Sequence, residues 1–243
     1  MMKNQCISKC LEVEKMPKCE PLKITATLLD GRLNSANGII MFDSILYHAW
    51  FIKYAPQVLG GEYDEKYIHE TQKYIGLPLK QLPGNRWAAS KGIYEETEQK
   101  IENFNKRPDF FAPDKIDYLI DNKGIINESS GKYRAFRVPQ LIRTVKDKKI
   151  TFYAVGNKQK IQELLQLMIS VGKKYSMGYG IITKWEVEPC EGDYTTEHPI
   201  YGLMRPLEVS ETDKKYNNPI MEFGVKPPYW KPQNMRLCYV PIK

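Results

Sequence analysis

A chain of 243 residues, 42% apolar and 27% charged, has the make-up of a globular protein and is long enough for one elaborated domain or two small ones. No apolar run approaches the ~20 residues of a membrane helix, and residues 1–20 lack the apolar stretch of a signal peptide, so the expectation is a cytoplasmic protein with no membrane partner. The formal net charge of +7 points toward an anionic partner such as a nucleic-acid backbone.

Residues 1–20 read as an N-terminal tail holding Cys6, Cys10 and Cys19. Their spacing lacks the paired knuckles of a structural zinc site, and with only Cys190 and Cys238 elsewhere neither a disulfide framework nor a metal centre is expected, nor any cofactor. A first strand begins at Pro21, where Leu22, Ile24, Ala26 and Leu28 alternate with Lys23, Thr25 and Thr27. Asp30-Gly31 and Asn37-Gly38 mark a loop, after which Phe42, Ile45, Leu46 and Ala49 form the stripe of a helix that Pro56 ends. Mixed signals from about 60 to 131 read as an insertion, with short strands over 77–82 and 86–93 and a helix over 95–104.

Regular patterning returns at 133–145, a strand broken or held at a sheet edge by Pro139. Lys146-Asp147-Lys148 turns it into Ile150, Phe152 and Ala154, which makes a hairpin. Gly156 closes the second strand and Asn157 is a good helix cap for Ile161, Leu164, Leu165, Met168 and Val171, which share one helical face. Beyond the glycine-rich run 172–180, Ile181, Thr183, Trp185 and Val187 alternate with Ile182, Lys184 and Glu186 as a last strand. The order fits an α+β fold, a ferredoxin-like (RRM-like) βαββαβ domain over 21–188 with an antiparallel sheet and the large central insertion. Residues 189–243, rich in proline and aromatics, read as a C-terminal extension with a strand at 236–240.

Charge is concentrated in the second half of this domain. From Gly131 to Trp185 there are twelve Lys or Arg against two acids, Asp147 and Glu163, so the remainder is slightly acidic. That is the footprint of a phosphate-backbone binder, although a solvated basic face would look the same. Within it lies Gly172-Lys173-Lys174-Tyr175-Ser176-Met177-Gly178-Tyr179-Gly180. Glycines let backbone amides approach phosphate oxygens, and Lys173, Lys174 and Ser176 add charge and a hydroxyl, with Arg134, Arg137 and Arg143 as further candidates. The competing reading is a helix C-cap followed by a turn. The loop follows a helix instead of opening one and lacks the G-x-x-x-x-G-K-[ST] spacing, so nucleotide hydrolysis is not expected. Tyr175, Tyr179 and Tyr153 are candidates for stacking on unpaired bases, with core packing an equal claimant for Tyr153.

The amphipathic helix, the run from Gly172 to Gly180 and the strand from Ile181 to Val187 resemble the glycine-loop signature of RAMP-superfamily CRISPR proteins. The opening strand followed by Phe42-Asp43-Ser44-Ile45-Leu46, with the later Trp185-Glu186-Val187-Glu188-Pro189 and Met204-Arg205-Pro206, is similar to the type IV CRISPR subunit related to Cas family five. The resemblance implies an RRM-like domain that holds the 5′ handle of a guide RNA (crRNA) and contacts other effector subunits, a binding role and not a catalytic one.

Two other functions stay open on the sequence. Some relatives cleave precursor crRNA without metal through a His near the first helix, and Tyr47, His48 and Lys53 invite that comparison. On a helical wheel His48 lies off the apolar stripe, while Tyr47 falls on a different face. The second is a protein-interaction subunit without direct RNA contact, which would use aromatic and proline-rich segments such as Pro227-Pro228-Tyr229-Trp230.

Overall fold

The computed structural model describes residues 19–35, 38–56, 75–106 and 136–242. In chain order the elements are β1 (Glu20–Leu28), β2 (Arg32–Asn34), α1 (Phe42–Tyr54), β3 (Gln81–Leu82), β4 (Arg86–Trp87), β5 (Glu96–Lys106), β6 (Phe136–Val145), β7 (Lys149–Gly156), α2 (Lys158–Leu165), β8 (Ile182–Pro189), β9 (Glu197–His198), β10 (Gly202–Leu203), β11 (Leu207–Glu208), β12 (Ile220–Gly224) and β13 (Met235–Tyr239). The chain is thus α+β, with antiparallel strand pairs throughout.

The core is organised around β1, whose strict alternation buries Leu22, Ile24, Ala26 and Leu28 on one face. β7 and β8 flank it in the order β7–β1–β8. They add Ile150, Phe152 and Ala154 from one side and Val187 from the other. Phe42, Ile45, Leu46 and Ala49 of α1 and Ile161, Leu164 and Leu165 of α2 join the same cluster, so both helices cover one face of the sheet. The other face carries the alternate residues, among them Lys23, Thr25, Thr27, Thr151 and Tyr153. Along the free edge of β7, isolated bridges pair Leu79 with Gly156, Ala89 with Ala154 and Ile93 with Thr151.

Several sequence expectations need correction. The stretch read as a helix over 95–104 is strand β5, paired along its length with β6; its Glu, Gln and Lys favour a helix locally, but cross-strand partners such as Glu96 with Arg143 decide the outcome. Pro139 sits in β6 opposite Asn103, beyond the short stretch where β2 pairs on the other side, so its missing N–H leaves no β2 acceptor wanting. α2 stops at Leu165, short of Val171, because Ser170 bridges Ile181 and the Ile182 amide bonds the Ile169 carbonyl at 2.9 Å. In β8 the register shifts at Thr27/Leu28, so Ile182 and not Thr183 turns inward with Trp185 and Val187. Asn157 caps α2 as expected, its side chain accepting the Lys160 amide at 2.8 Å.

The C-terminal residues form a second small sheet, β11–β13–β12, seated on the first part of the chain through buried polar contacts. Arg86 makes a two-toothed ion pair with Glu211, Arg205 donates to the carbonyls of Trp87 and Val225, and the Lys91 ammonium donates to the carbonyl of Ile242. The Tyr229 hydroxyl bonds both oxygens of buried Asp43 at 2.8 and 2.9 Å, which joins the segment after cis Pro227-Pro228 to the first turn of α1.

Candidate nucleic-acid interface

The glycine loop leaves α2 and returns into β8, and its shape is set by backbone contacts with β2. The Lys173 amide donates to the Asn34 carbonyl at 2.7 Å and the Gly180 amide to the Arg32 carbonyl at 2.8 Å. Gly172 and Gly180 hold positive φ of 81° and 66°, and a Cβ on either would run into a carbonyl oxygen, of Asn34 and of Val171 respectively. Gly178 also has positive φ, 90°, but open space around it. Between these anchors Lys174 is itself left-handed and leads into a single helical turn, Tyr175–Met177.

What the loop presents is narrower than the sequence proposes. The amides of Met177 and Gly178 close the turn onto Lys174 and Tyr175, which leaves those of Lys174, Tyr175 and Ser176 without an acceptor among the described residues. Lys173, Lys174 and Ser176 are exposed, and Tyr175 is 58% exposed. Tyr179 is only 3% exposed: its hydroxyl donates to Glu102, its ring meets Phe104 edge-on at 6.2 Å, and the Arg32 guanidinium lies 5.1 Å from the ring centre. Tyr179 therefore ties the loop to the β5–β6 hairpin, and no face of it is left for a base.

The three arginines separate. Arg137 is exposed on β6. Arg143, at 5% exposure, is held inside by an ion pair with Glu96 at 2.9 Å and by a hydrogen bond to the Ser35 carbonyl, so it braces the hairpin and is not presented to a ligand. Arg134 lies outside the described residues, as do Cys6, Cys10 and His69.

The candidate catalytic group does not converge. Tyr47 packs into the core with its ring 5.1 Å from Phe51. Lys53 reaches across to Glu163 of α2 at 3.2 Å. His48 is exposed, and partial desolvation lowers its pKa. Among the described residues no group of three His, Cys, Asp or Glu side chains is placed to hold a metal ion, and no helix is long and apolar enough to cross a membrane.

One cluster escaped the sequence reading. Tyr153, on the sheet face away from the helices, meets Tyr194 at 5.2 Å and His198 at 5.4 Å; His198 in turn lies 4.7 Å from both Tyr194 and Tyr201. Only Tyr153 sits in a strand long enough to show alternation; His198 ends the two-residue β9, and Tyr194 and Tyr201 flank it in the extension, where no pattern marks them.

Among the described residues the chain is thus an α+β protein with two helices on one face of an antiparallel sheet and a lysine-bearing glycine loop between α2 and β8. The particular family follows from sequence comparison: the family described as CRISPR type IV associated protein Csf3 matches residues 20–241, and the chain belongs to it. No curated protein matches the chain in sequence.

Proposed function

We propose that this type IV CRISPR-associated protein is a crRNA-binding subunit of an effector complex, which holds the 5′ handle of the guide through the glycine-rich basic loop and contacts the other subunits around it. The observation that carries this reading is the anchored loop: Lys173, Lys174, Tyr175 and Ser176 stand exposed between two glycines whose close approach to β2 and Val171 no other residue permits. A loop preset in this way loses little conformational entropy when phosphates bind. The arrangement of β1, α1, the bridged segment along β7, β7, α2 and β8 favours a ferredoxin-like, RAMP-type domain, and it accords with the resemblance to the subunit related to Cas family five, which rests on Phe42-Asp43-Ser44-Ile45-Leu46, Trp185-Glu186-Val187-Glu188-Pro189 and Met204-Arg205-Pro206. Domain limits of 21–188 and 189–243, and a cytoplasmic location, belong to the same reading.

The test is binding to a fluorescent CRISPR repeat RNA in EDTA across a salt series. Lys173→Ala with Lys174→Ala is expected to weaken binding and to flatten the log–log salt slope by about 1.4, two single-strand phosphate contacts at ~0.7 each. Unchanged affinity and slope in a folded variant would remove the loop from the site. A gel of the same mixtures reads the endoribonuclease alternative: metal-independent cleavage lost in His48→Ala would make the protein a processing enzyme. The scattered placement of Tyr47, His48 and Lys53 disfavours that outcome.

A further inference from the structure

The small sheet of the C-terminal extension, β11–β13–β12, leaves β12 at an edge, and the phase of its ladder fixes which main-chain groups are open. The Val240 amide bonds the Pro219 carbonyl at 2.9 Å and the Val225 amide bonds the Asn234 carbonyl at 3.0 Å, so Met221 and Phe223, in the same phase, turn their N–H and C=O groups to β13. Those of Ile220 and Glu222 point the other way and meet no partner among the described residues. A row of open donors and acceptors is the complement of an extended polypeptide. The edge is also apolar on both faces: Ile220 is exposed on one with Leu237, and Met221 on the other. Proline, lysine and bulges, which ordinarily blunt such an edge, are absent from β12, and Glu222 is its one charge.

The edge leads to a cleft with a charge in its wall. Asn218, two residues before Ile220 and so within about 7 Å of it, lines a cleft of about 580 Å³ together with Ile200, Ile242 and Lys91. Ile200 is 80% exposed, which continues the apolar surface of β12. Lys91 is only 5% exposed; its Nζ donates to the Ile242 carbonyl and faces no carboxylate among the described residues. Glu95, the acid in the same wall, is taken by Lys146 at 2.7 Å. An ammonium has three N–H donors, and buried charges are as a rule paired, so the cleft is matched to a carboxylate side chain.

We propose that β12 and this cleft are the docking surface for another protein subunit of the effector complex, which adds an extended segment to the β12 edge and places an Asp or Glu side chain on Lys91. The proposal rests on the effector-subunit reading and uses residues distinct from those of the glycine loop.

Ile220→Pro tests the edge selectively, because the ring replaces an N–H that points outward and leaves the bonds to β13 in place. The experiment combines the full chain with crRNA and the other protein subunits of the complex and reads their association by biolayer interferometry. Ile220→Pro and Lys91→Met should each weaken association about tenfold or more, Ile220→Val should leave it unchanged, and all three should bind free repeat RNA as the wild type does. Benzoylphenylalanine at Met221 should cross-link to one segment of another subunit. Replacing the acid of that segment by its amide should match the Lys91→Met loss, and the two changes together should add nothing further; where Lys91→Met does not fold, the replacement in the cross-linked segment decides alone. Unchanged association in folded Ile220→Pro or Lys91→Met would overturn the docking surface and leave the effector-subunit reading intact. So would a cross-link to a second copy of this chain in place of another subunit, or an equal loss of free RNA binding, which would mark an RNA surface. A wild type that associates with none of the other subunits would fail the effector-subunit reading and the docking surface with it.

Discussion

Asp43 is the residue where the chemistry of the fold is most sharply set. Its carboxyl is fully buried in the first turn of α1, and this burial pushes its pKa up to about 6 against the opposing pull of the Arg205 charge and the Tyr229 hydroxyl. The folded pKa lies above the ordinary value of 3.8, so the folded state holds the proton more tightly than the unfolded chain does. Stability from this group is therefore present below pH 4, falls as pH rises from about 4 to 6, and is flat above that. A shift of this size corresponds to about 3 kcal/mol. Urea denaturation between pH 4 and 7 checks it: the stability difference between wild type and Asp43→Asn should shrink or reverse toward neutral pH by up to that amount. Parallel pH profiles would show that Asp43 does not titrate in this window.

Among the elements, the glycine loop separates two kinds of glycine that the sequence presents as equivalent. Gly178→Ala meets only the left-handed backbone, with open space around it, and should cost about 1–2 kcal/mol. Gly180→Ala adds a collision with the Val171 carbonyl and should cost roughly 3 kcal/mol or more while loosening the turn into β8. Equal losses in urea melts of the two would contradict the tight approach at Gly180. The contrast also explains what was legible beforehand. Alternation in β1 and the stripes of α1 and α2 are local patterns imposed by one buried face, and they mark the core in the sequence itself. The β5 strand, the bulge at Thr183 and the early end of α2 depend on partners far along the chain, which local propensity does not encode. The same divide runs through the site: exposed Lys173 and Lys174 follow from composition, whereas the burial of Arg143 on Glu96 and of Tyr179 on Glu102 depends on the β5–β6 hairpin, which was misread.

At the scale of the molecule, the extension from 190 onward is fastened to the sheet-and-helix part by polar contacts in place of a second large apolar core: of its buried apolar side chains, Val225, Cys238 and Val240 form a small cluster with Ile39 and Phe223 against it, and Leu203, Met204 and Tyr239 are buried outside that cluster. Arg205 is the centre of that attachment. It is 2% exposed, donates to the carbonyls of Trp87 and Val225, and supplies the positive charge that faces Asp43. Removing one member of a buried charged set costs more than the set itself contributes, because the remaining charge is left without compensation. Arg205→Ala is thus expected to destabilise the protein by roughly 3–5 kcal/mol at pH 7.5, where Asp43 is ionised, and by less at pH 5, where Asp43 carries a proton. The pH dependence distinguishes charge compensation from simple loss of packing, which would be the same at both values. If the extension and the sheet are one cooperative unit, far-ultraviolet circular dichroism and the fluorescence of Trp230, 73% exposed in the extension, will report the same midpoint in wild type and variant alike. The fluorescence is read with the three other tryptophans replaced by Phe. An earlier fluorescence transition confined to Arg205→Ala would mean that this arginine alone couples the two parts, and that the extension unfolds by itself once it is gone.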